Sequence, residues 1–280
     1  MRAMTSSDRP IITILTDFGL DGAVAACKGV MLGISRDAQI VDIGHTIRKY
    51  AIRDGAFLLR FSLPYVPVGV HVGVVDPGVG TERRPIAILT GRGDILIGPD
   101  NGLLPPAADA LGGVVEARVL ENRALWLPVT TSTFHGRDIF SPVAAHLATG
   151  DARFEDVGTE VALESLVRLP DPEARAADGT IDTVVTYVDS FGNLRLAGGA
   201  DELAVALGDA PSGTPLLVEF GGQEAVREES HYATTFGAVP EGHSLVYVDS
   251  LGNLAMADNQ GSLATRLGIG HDRPVRISRA

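Results

Sequence analysis

The feature that most restricts this chain is a short β-rich run that stops at a carboxylate. Val70 to Val75 is followed at once by Asp76-Pro77-Gly78-Val79-Gly80. The run reads as a buried strand and its end as a flexible loop. In open α/β sheets ligands bind at the carboxyl ends of strands, so Asp76 is placed for chemistry, with Arg83 further along the same loop. A second run, Asp94 to Ile97, ends similarly in Gly98-Pro99-Asp100-Asn101-Gly102.

Neighbouring segments predict an α/β fold. Ile11 to Thr16 is a short strand that stops at Asp17-Phe18-Gly19. Val24, Cys27, Met31 and Ile34 recur at helical spacing, and Gln39 to Ile43 returns to strand, which makes a βαβ unit and implies a parallel sheet. Ile52, Ala56 and Leu59 predict a second helix closed by Pro64, and Val114 to Val119 another strand. After Trp126, the segment Thr133-Phe134-His135-Gly136-Arg137-Asp138 precedes a stripe of Ile139, Val143, Ala144 and Leu147. His135 and Gly136 therefore fall at a helix amino terminus, where free N–H groups favour electron-rich ligands.

Between Leu169 and Gly179 the composition turns to Pro, Asp, Glu, Arg and Ala, which predicts a linker between a domain over 1–172 and one over 180–280. The second domain reads as short strands, a small β-barrel or a sandwich. It contains an internal echo: Tyr187-Val188-Asp189-Ser190-Phe191-Gly192-Asn193-Leu194 returns as Tyr247-Val248-Asp249-Ser250-Leu251-Gly252-Asn253-Leu254. Two equivalent hairpins account for the Gly and Asn. They leave Phe191 over, an aromatic in a turn that offers a base-stacking surface.

Composition excludes several partners. With a net charge of −12 and no window rich in Lys and Arg, nucleic acid is not expected. One cysteine, Cys27, leaves no internal disulfide and fits a reducing compartment. The opening MRAMTSSDRP lacks an apolar core of signal-peptide length, and no run approaches ~18 apolar residues, so the expectation is a cytoplasmic protein with no membrane partner.

Some motifs mislead. Asp17-Phe18-Gly19 has no kinase companions, Gly78-x-Gly80 is followed by Arg83 where a dinucleotide fingerprint needs Gly, and Gly98 to Gly102 suits a tight turn better than a nucleophile elbow. Asp17, Asp76, Asp100, His135 and Asp138 together suit a hard-metal site for hydrolysis of a phosphorylated nucleoside, but Arg83 and Arg137 would compete with a cation.

Taken together, TDFG at 16–19, VVDPGVGTERR at 74–84, PDNGLL at 99–104, TFHGRDIF at 133–140 and DSFGN at 189–193 resemble the S-adenosyl-L-methionine (SAM) hydroxide adenosyltransferases, relatives of the fluorinase and chlorinase. The resemblance implies an amino-terminal α/β sandwich domain with a mostly parallel sheet and a carboxyl-terminal all-β barrel domain. It also implies a homotrimer with active sites between subunits, and attack of water on C5′ of SAM to give adenosine and L-methionine. SAM is then the substrate, with no cofactor and no metal. Asp76, Arg83 and His135 match the family's reacting trio, and the halogenating relatives carry aromatics at the first and last of these. Asp17 matches the acceptor of the ribose diol, Tyr50 a lid contact, and Gly136 lies beside His135. Phe191 and Phe236 match faces around adenine, Asn193 an adenine hydrogen-bonding group, and Asp189 and Ser250 the groups that hold the methionine amine and carboxylate. Leu251 departs from the halogenases' arginine, and Arg48-Lys49-Tyr50-Ala51 from the usual motif there. A SAM-binding sensor without turnover is the alternative from another class.

Overall fold

The computed structural model describes residues 9–222 and 224–280, so the segment read for a leader lies, but for Arg9 and Pro10, outside the described residues. The chain forms two compact units, the first ending at Leu169 and the second starting at Pro170.

The first unit runs β1 (Ile11–Thr16), α1 (Gly22–Ile34), β2 (Gln39–Gly44), α2 (Ile52–Ser62), β3 (Val70–Val74), β4 (Pro85–Thr90), β5 (Ile95–Pro99), α3 (Pro105–Ala110), β6 (Val114–Val119) and α4 (Ser141–Thr149). The sheet order is β2-β1-β3-β5-β4-β6. The first four strands in that order are parallel, whereas β4 runs antiparallel to both of its neighbours. The strand–helix alternation that the first segments predict breaks after β3: no helix separates β3 from β4, and β4 and β5 form a hairpin.

The two-residue period of a strand sorts side chains to opposite faces. Ile12, Ile14, Val70, Val72, Val74 and Ala87 pack with α1 and α4, which supply Cys27, Met31, Val143, Ala144 and Leu147. Leu15, Ile86, Ile88 and Leu96 point the other way, onto Ala56 and Leu59 of α2 and Ala107 and Ala108 of α3. The result is a helix–sheet–helix sandwich. Asp21 starts α1 by accepting from the Ala23 N–H at 3.5 Å, and Gly150, left-handed at φ 78°, ends α4.

In the second unit β7 (Arg175–Ala177), β8 (Thr180–Val188), β9 (Leu194–Gly199), β10 (Pro215–Phe220), β11 (Val226–Tyr232), β12 (Ser244–Val248), β13 (Asn253–Asp258) and β14 (Pro274–Arg279) accompany α5 (Ala200–Leu207) and α6 (Leu263–Leu267). The pairing of β14 with both β10 and β8 closes seven of the strands into a barrel, with β7 outside it on β8. Of the barrel and the sandwich, the chain forms the barrel. Arg175–Ala177, inside the stretch read as linker, is this added strand, its backbone paired antiparallel with β8 and Arg175 opposite Asp182. Among the described residues no helix is long and apolar enough to cross a membrane.

Candidate active site

β2 and β3 lie on opposite sides of β1, so the chain reverses direction across the sheet there, and the crevice outside the strand ends opens at that point. Thr16 pairs with Val74, and the Asp17 N–H donates to the Val74 carbonyl at 3.3 Å. Asp17 and Asp76 therefore leave adjacent strands at the same edge.

The loop after β3 folds back so that Arg83 meets Asp76. Nε of Arg83 donates to Oδ1 at 2.9 Å and Oδ2 at 3.1 Å, and Nη2 donates to Oδ2 as well. Nη2 also donates to Nδ1 of His135 at 3.1 Å. A guanidinium only donates, so Nδ1 accepts and the histidine proton sits on Nε2. The pair is largely shielded, with side chains 10 % and 5 % exposed for Arg83 and Asp76. The guanidinium lies 5.4 Å from the centre of the buried Phe140 ring. Nη1 of Arg83 is buried with no hydrogen-bond partner among the described residues, a donor left over for a ligand atom. Burial first, and the Arg83 charge second, hold the His135 pKa below its ordinary 6.5.

One glycine keeps this loop against the segment that carries His135, and a second lets that segment close on Phe18. Gly80 is left-handed at φ 77°, and a Cβ there would sit 2.2 Å from the Ser132 carbonyl oxygen. At Gly136 a Cβ would press on Phe18 at 3.1 Å, and Phe18 packs edge-on against Phe134 with centroids 5.7 Å apart. His135 precedes a π-helical turn, Gly136–Phe140, that continues into α4, rather than the ordinary first α-turn expected. The N–H groups of Arg137 and Asp138 in that turn both return to the Phe134 carbonyl.

Asp17 is covered by the loop at 48–50. The Tyr50 N–H donates to Asp17 Oδ2 at 2.8 Å, and Lys49 Nζ to the Asp17 carbonyl at 2.8 Å. Tyr50 adopts φ 66° with its ring exposed, a backbone state that few non-glycine residues hold. His45, which the sequence reading passed over, also sits here. Its Nδ1 meets Thr16 Oγ1 at 3.0 Å, and its carbonyl accepts from the Gly19 N–H at 2.8 Å. Its Nε2 meets Asp42 Oδ1 on β2, the strand it follows, at 3.1 Å, but the contacts that bring it to Asp17 come from the neighbouring strand and the turn after it, which no spacing pattern marks.

The acidic cluster considered for a metal is otherwise engaged. Asp138 accepts from Thr131 and from Arg137 Nε at 2.6 Å; Asp100 accepts from Arg84 Nε at 2.9 Å and the Val167 N–H at 2.9 Å. With Asp76 held by Arg83, an arginine already neutralises each of these three carboxylates. Among the described residues no group of His, Cys, Asp and Glu is arranged to hold a metal ion.

In the second unit the echoed octapeptides are structural twins. Asp189 Oδ1 accepts from the Phe191 and Asn193 N–H groups at 2.9 Å each; Asp249 Oδ1 accepts from Leu251 and Asn253 at 2.8 and 2.9 Å. Gly192 and Gly252 have φ of 82° and 83°. β9 and β13 pair antiparallel with Arg195 opposite Ala255, positions that are equivalent in the repeat, so a local two-fold axis passes between them. Arg195 breaks the symmetry by binding Asp249, Nε to Oδ2 at 2.8 Å, whereas Asp189 has no ion pair among the described residues. Phe191 is 74 % exposed at its turn. Phe236 packs on Tyr247 at 5.2 Å, whose pKa is raised to about 12 by burial first and then by Asp189 and Asp249. Ser250 is exposed on the second turn. Asn193 Nδ2 donates to Asp189 Oδ2 at 2.8 Å.

The geometry can be set beside known proteins. The (R)-S-adenosyl-L-methionine hydrolase of Salinispora tropica is 46% identical over 272 residues, covering 96% of this chain and 98% of that protein. The protein of the same name from Thermus thermophilus is 39% identical, over 96% and 99% of the two chains. A fluorinase of Actinopolyspora mzabensis is 30% identical over 98% and 99%. The crystal structure of an uncharacterized conserved protein from Thermotoga maritima superposes with a TM-score of 0.84 at 34% identity, over 96% of this chain and 100% of that one. Residues 12–158 match the SAM hydroxide adenosyltransferase N-terminal domain and residues 183–276 the C-terminal domain, and the chain belongs to the SAM hydroxide adenosyltransferase family.

Proposed function

We propose that this chain is an enzyme that hydrolyses SAM, with water attacking C5′ to give adenosine and L-methionine. The observation that carries the reading is Arg83, which joins Asp76 to His135 and keeps Nη1 in reserve. The relatives are named for the (R) epimer at sulfur, and the same epimer is the proposed substrate here.

The leaving group needs no acid, because the sulfonium departs as a neutral thioether. The nucleophile is the difficulty. Moving the pKa of water from ~15.7 to ~7 is what a zinc ion achieves, and that is worth ~12 kcal/mol at ~1.36 per unit. An arginine and a neutral histidine do not supply it in advance. The water is instead oriented, and it loses its proton as the C–O bond forms. Its oxygen bonds C5′, the C5′–S pair moves to sulfur, and the proton passes to a base and then to solvent. With the Nδ1 lone pair of His135 spent on Arg83, Asp76 is the base, while Arg83 Nη1–H and His135 Nε2–H donate to the oxygen. Alignment of the water behind C5′ contributes ~7–11 kcal/mol.

SAM is held by Asp17 at the ribose diol, with Tyr50 as lid and Gly136 leaving room beside Phe18. Phe191, Phe236 and Asn193 contact adenine, and Asp189 and Ser250 the methionine end. The exposed aromatic rings of Phe191 and Tyr50 support a homotrimer in which these groups come from neighbouring subunits. We infer that no metal or cofactor takes part, since arginines hold Asp76, Asp100 and Asp138. A cytoplasmic location fits the single thiol of Cys27. SAM incubated with the protein in ¹⁸O-water tests the reading: heavy oxygen in adenosine supports it, and SAM retained without release of adenosine would indicate a sensor.

A further inference from the structure

The turn Gly98 to Gly102 has no part in the reaction just described, yet its two polar residues reach both ends of the loop that bears Asp76 and Arg83. Asn101 Nδ2 donates to the Val75 carbonyl at 2.8 Å, the carbonyl of the peptide that leads into Asp76. Asn101 Oδ1 accepts from the Leu103 N–H at 3.2 Å, which fixes the amide the right way round. At the other end Asp100 takes Arg84, the residue after Arg83. Its N–H donates to the Arg84 carbonyl at 2.9 Å, and its Oδ2 accepts from Arg84 Nε at 2.9 Å. Asp100 is itself buried and braced by the Val167 N–H at 2.9 Å. The prolines that flank this arrangement, Pro85 and Pro99, face each other across β4 and β5. Consecutive residues of one rigid turn thus hold the entry and the exit of the loop, and the loop's geometry sets the fork between Arg83 and Asp76.

We propose that Asn101 is a positioning residue for the reaction: it holds the Val75–Asp76 peptide so that the Asp76 carboxylate faces both Arg83 and the attacking water. This rests on the reading of Asp76 and Arg83 given above. Asn101 touches neither group and, on this reading, no part of SAM. Its loss therefore alters the alignment of the base and leaves the substrate contacts intact. Displacement on the scale of an ångström at a reacting group costs up to about 10²-fold in turnover.

The test is a split between kcat and KM for SAM, measured on Asn101→Ala and Asn101→Asp beside Asp76→Asn, with thermal denaturation of each. Asn101→Ala is expected to lower kcat about 10–100-fold while KM moves less than about threefold. Asn101→Asp keeps the acceptor for Leu103 but turns a charged oxygen towards the Val75 carbonyl. When protonated it becomes a donor again, so its kcat relative to wild type is expected to recover as pH is lowered towards the carboxyl's own pKa, ordinarily ~3.9 and raised by the facing Val75 carbonyl. Should Asn101→Ala not fold, this pH-dependent recovery decides alone. Unchanged kcat in both variants, equal losses in kcat and affinity, or an Asn101→Asp ratio flat with pH overturns the proposal, provided Asp76→Asn has lost turnover. If Asp76→Asn keeps wild-type kcat, it is the underlying reading of the site that fails.

Discussion

Arg83 donates to Nδ1 of His135 at 3.1 Å, and this contact makes the histidine a donor through Nε2 rather than a base. Protonating Nδ1 would break the bond and set two cations against each other. Burial and Arg83 both hold the His135 pKa below 6.5, so kcat is expected to be flat through neutral pH and to fall on the acid side with a midpoint under 6.5. The folded pKa lies below the unfolded one, so the unfolded chain binds the extra proton. Stability is therefore lost as pH falls below 6.5 through the folded value, and it returns above it. A pH–rate profile together with denaturation midpoints at each pH checks both; an acid limb centred above 6.5 would count against the contact.

Asp76→Asn keeps an acceptor for Arg83 but removes the carboxylate proposed as base. With Asp76 taking the proton, kcat falls about 10²–10⁴-fold, and KM for SAM stays within about threefold because SAM itself does not rest on this carboxylate. Steady-state kinetics decide the matter, and a loss confined to KM would falsify the assignment.

A second buried network serves stability alone. His71 Nε2 meets Asp94 Oδ1 at 2.8 Å and its Nδ1 meets Thr13 at 3.0 Å, while Arg92 forks onto Asp94 at 2.7 and 2.9 Å. Burial pushes the Asp94 pKa up, but the hydrogen bonds and charges of His71 and Arg92 outweigh it and hold the carboxyl far below 3.8. That stabilisation is complete above 3.8 and is lost as pH falls below it. Asp94→Ala leaves Arg92 and His71 without their acceptor, at a cost of about 3–5 kcal/mol. Urea titration is the measurement, with kcat of the folded fraction expected to be unchanged.

These cases show where the sequence was legible. Ile11–Thr16 and Val114–Val119 were predicted to the residue, because β-rich runs between turn formers carry a local signal. β4 was missed: Pro85-Ile86-Ala87-Ile88-Leu89-Thr90 opens on a proline and pairs antiparallel, which periodicity does not announce. Asp76 stood out because it ends a strand. What Arg83 does with its two amino groups did not, since that depends on His135, fifty-two positions away in sequence. The positive φ of Tyr50 and the placement of His45 are likewise set by contacts across strands. Asp100, grouped at first with a metal cluster, is a brace for Arg84, and only the geometry separates the two roles.

The twin hairpins allow structure and recognition to be separated at two aspartates of identical local context. Both use Oδ1 to close their turn, but Arg195 neutralises Asp249, and its counterpart across the local axis, Ala255, offers Asp189 nothing. A side chain amide retains the Oδ1 each turn needs and removes the charge together with the Oδ2 acceptor, which serves Asn193 Nδ2 in the first turn and Arg195 in the second. Asp249→Asn should therefore remove the ion pair of Arg195 with Asp249 and lower stability more than Asp189→Asn does, by about 3 kcal/mol. Asp189→Asn forfeits only the bond from Asn193 Nδ2, about 1 kcal/mol, and should raise KM for SAM about tenfold or more, as a charge-assisted hydrogen bond to an ammonium becomes a neutral one. Denaturation and kinetics on the two variants read these effects independently. The assignment of Asp189 to the methionine amine fails if both variants lose stability equally, or if KM rises only with Asp249→Asn. In either case the charge of Asp189 would have no substrate to serve.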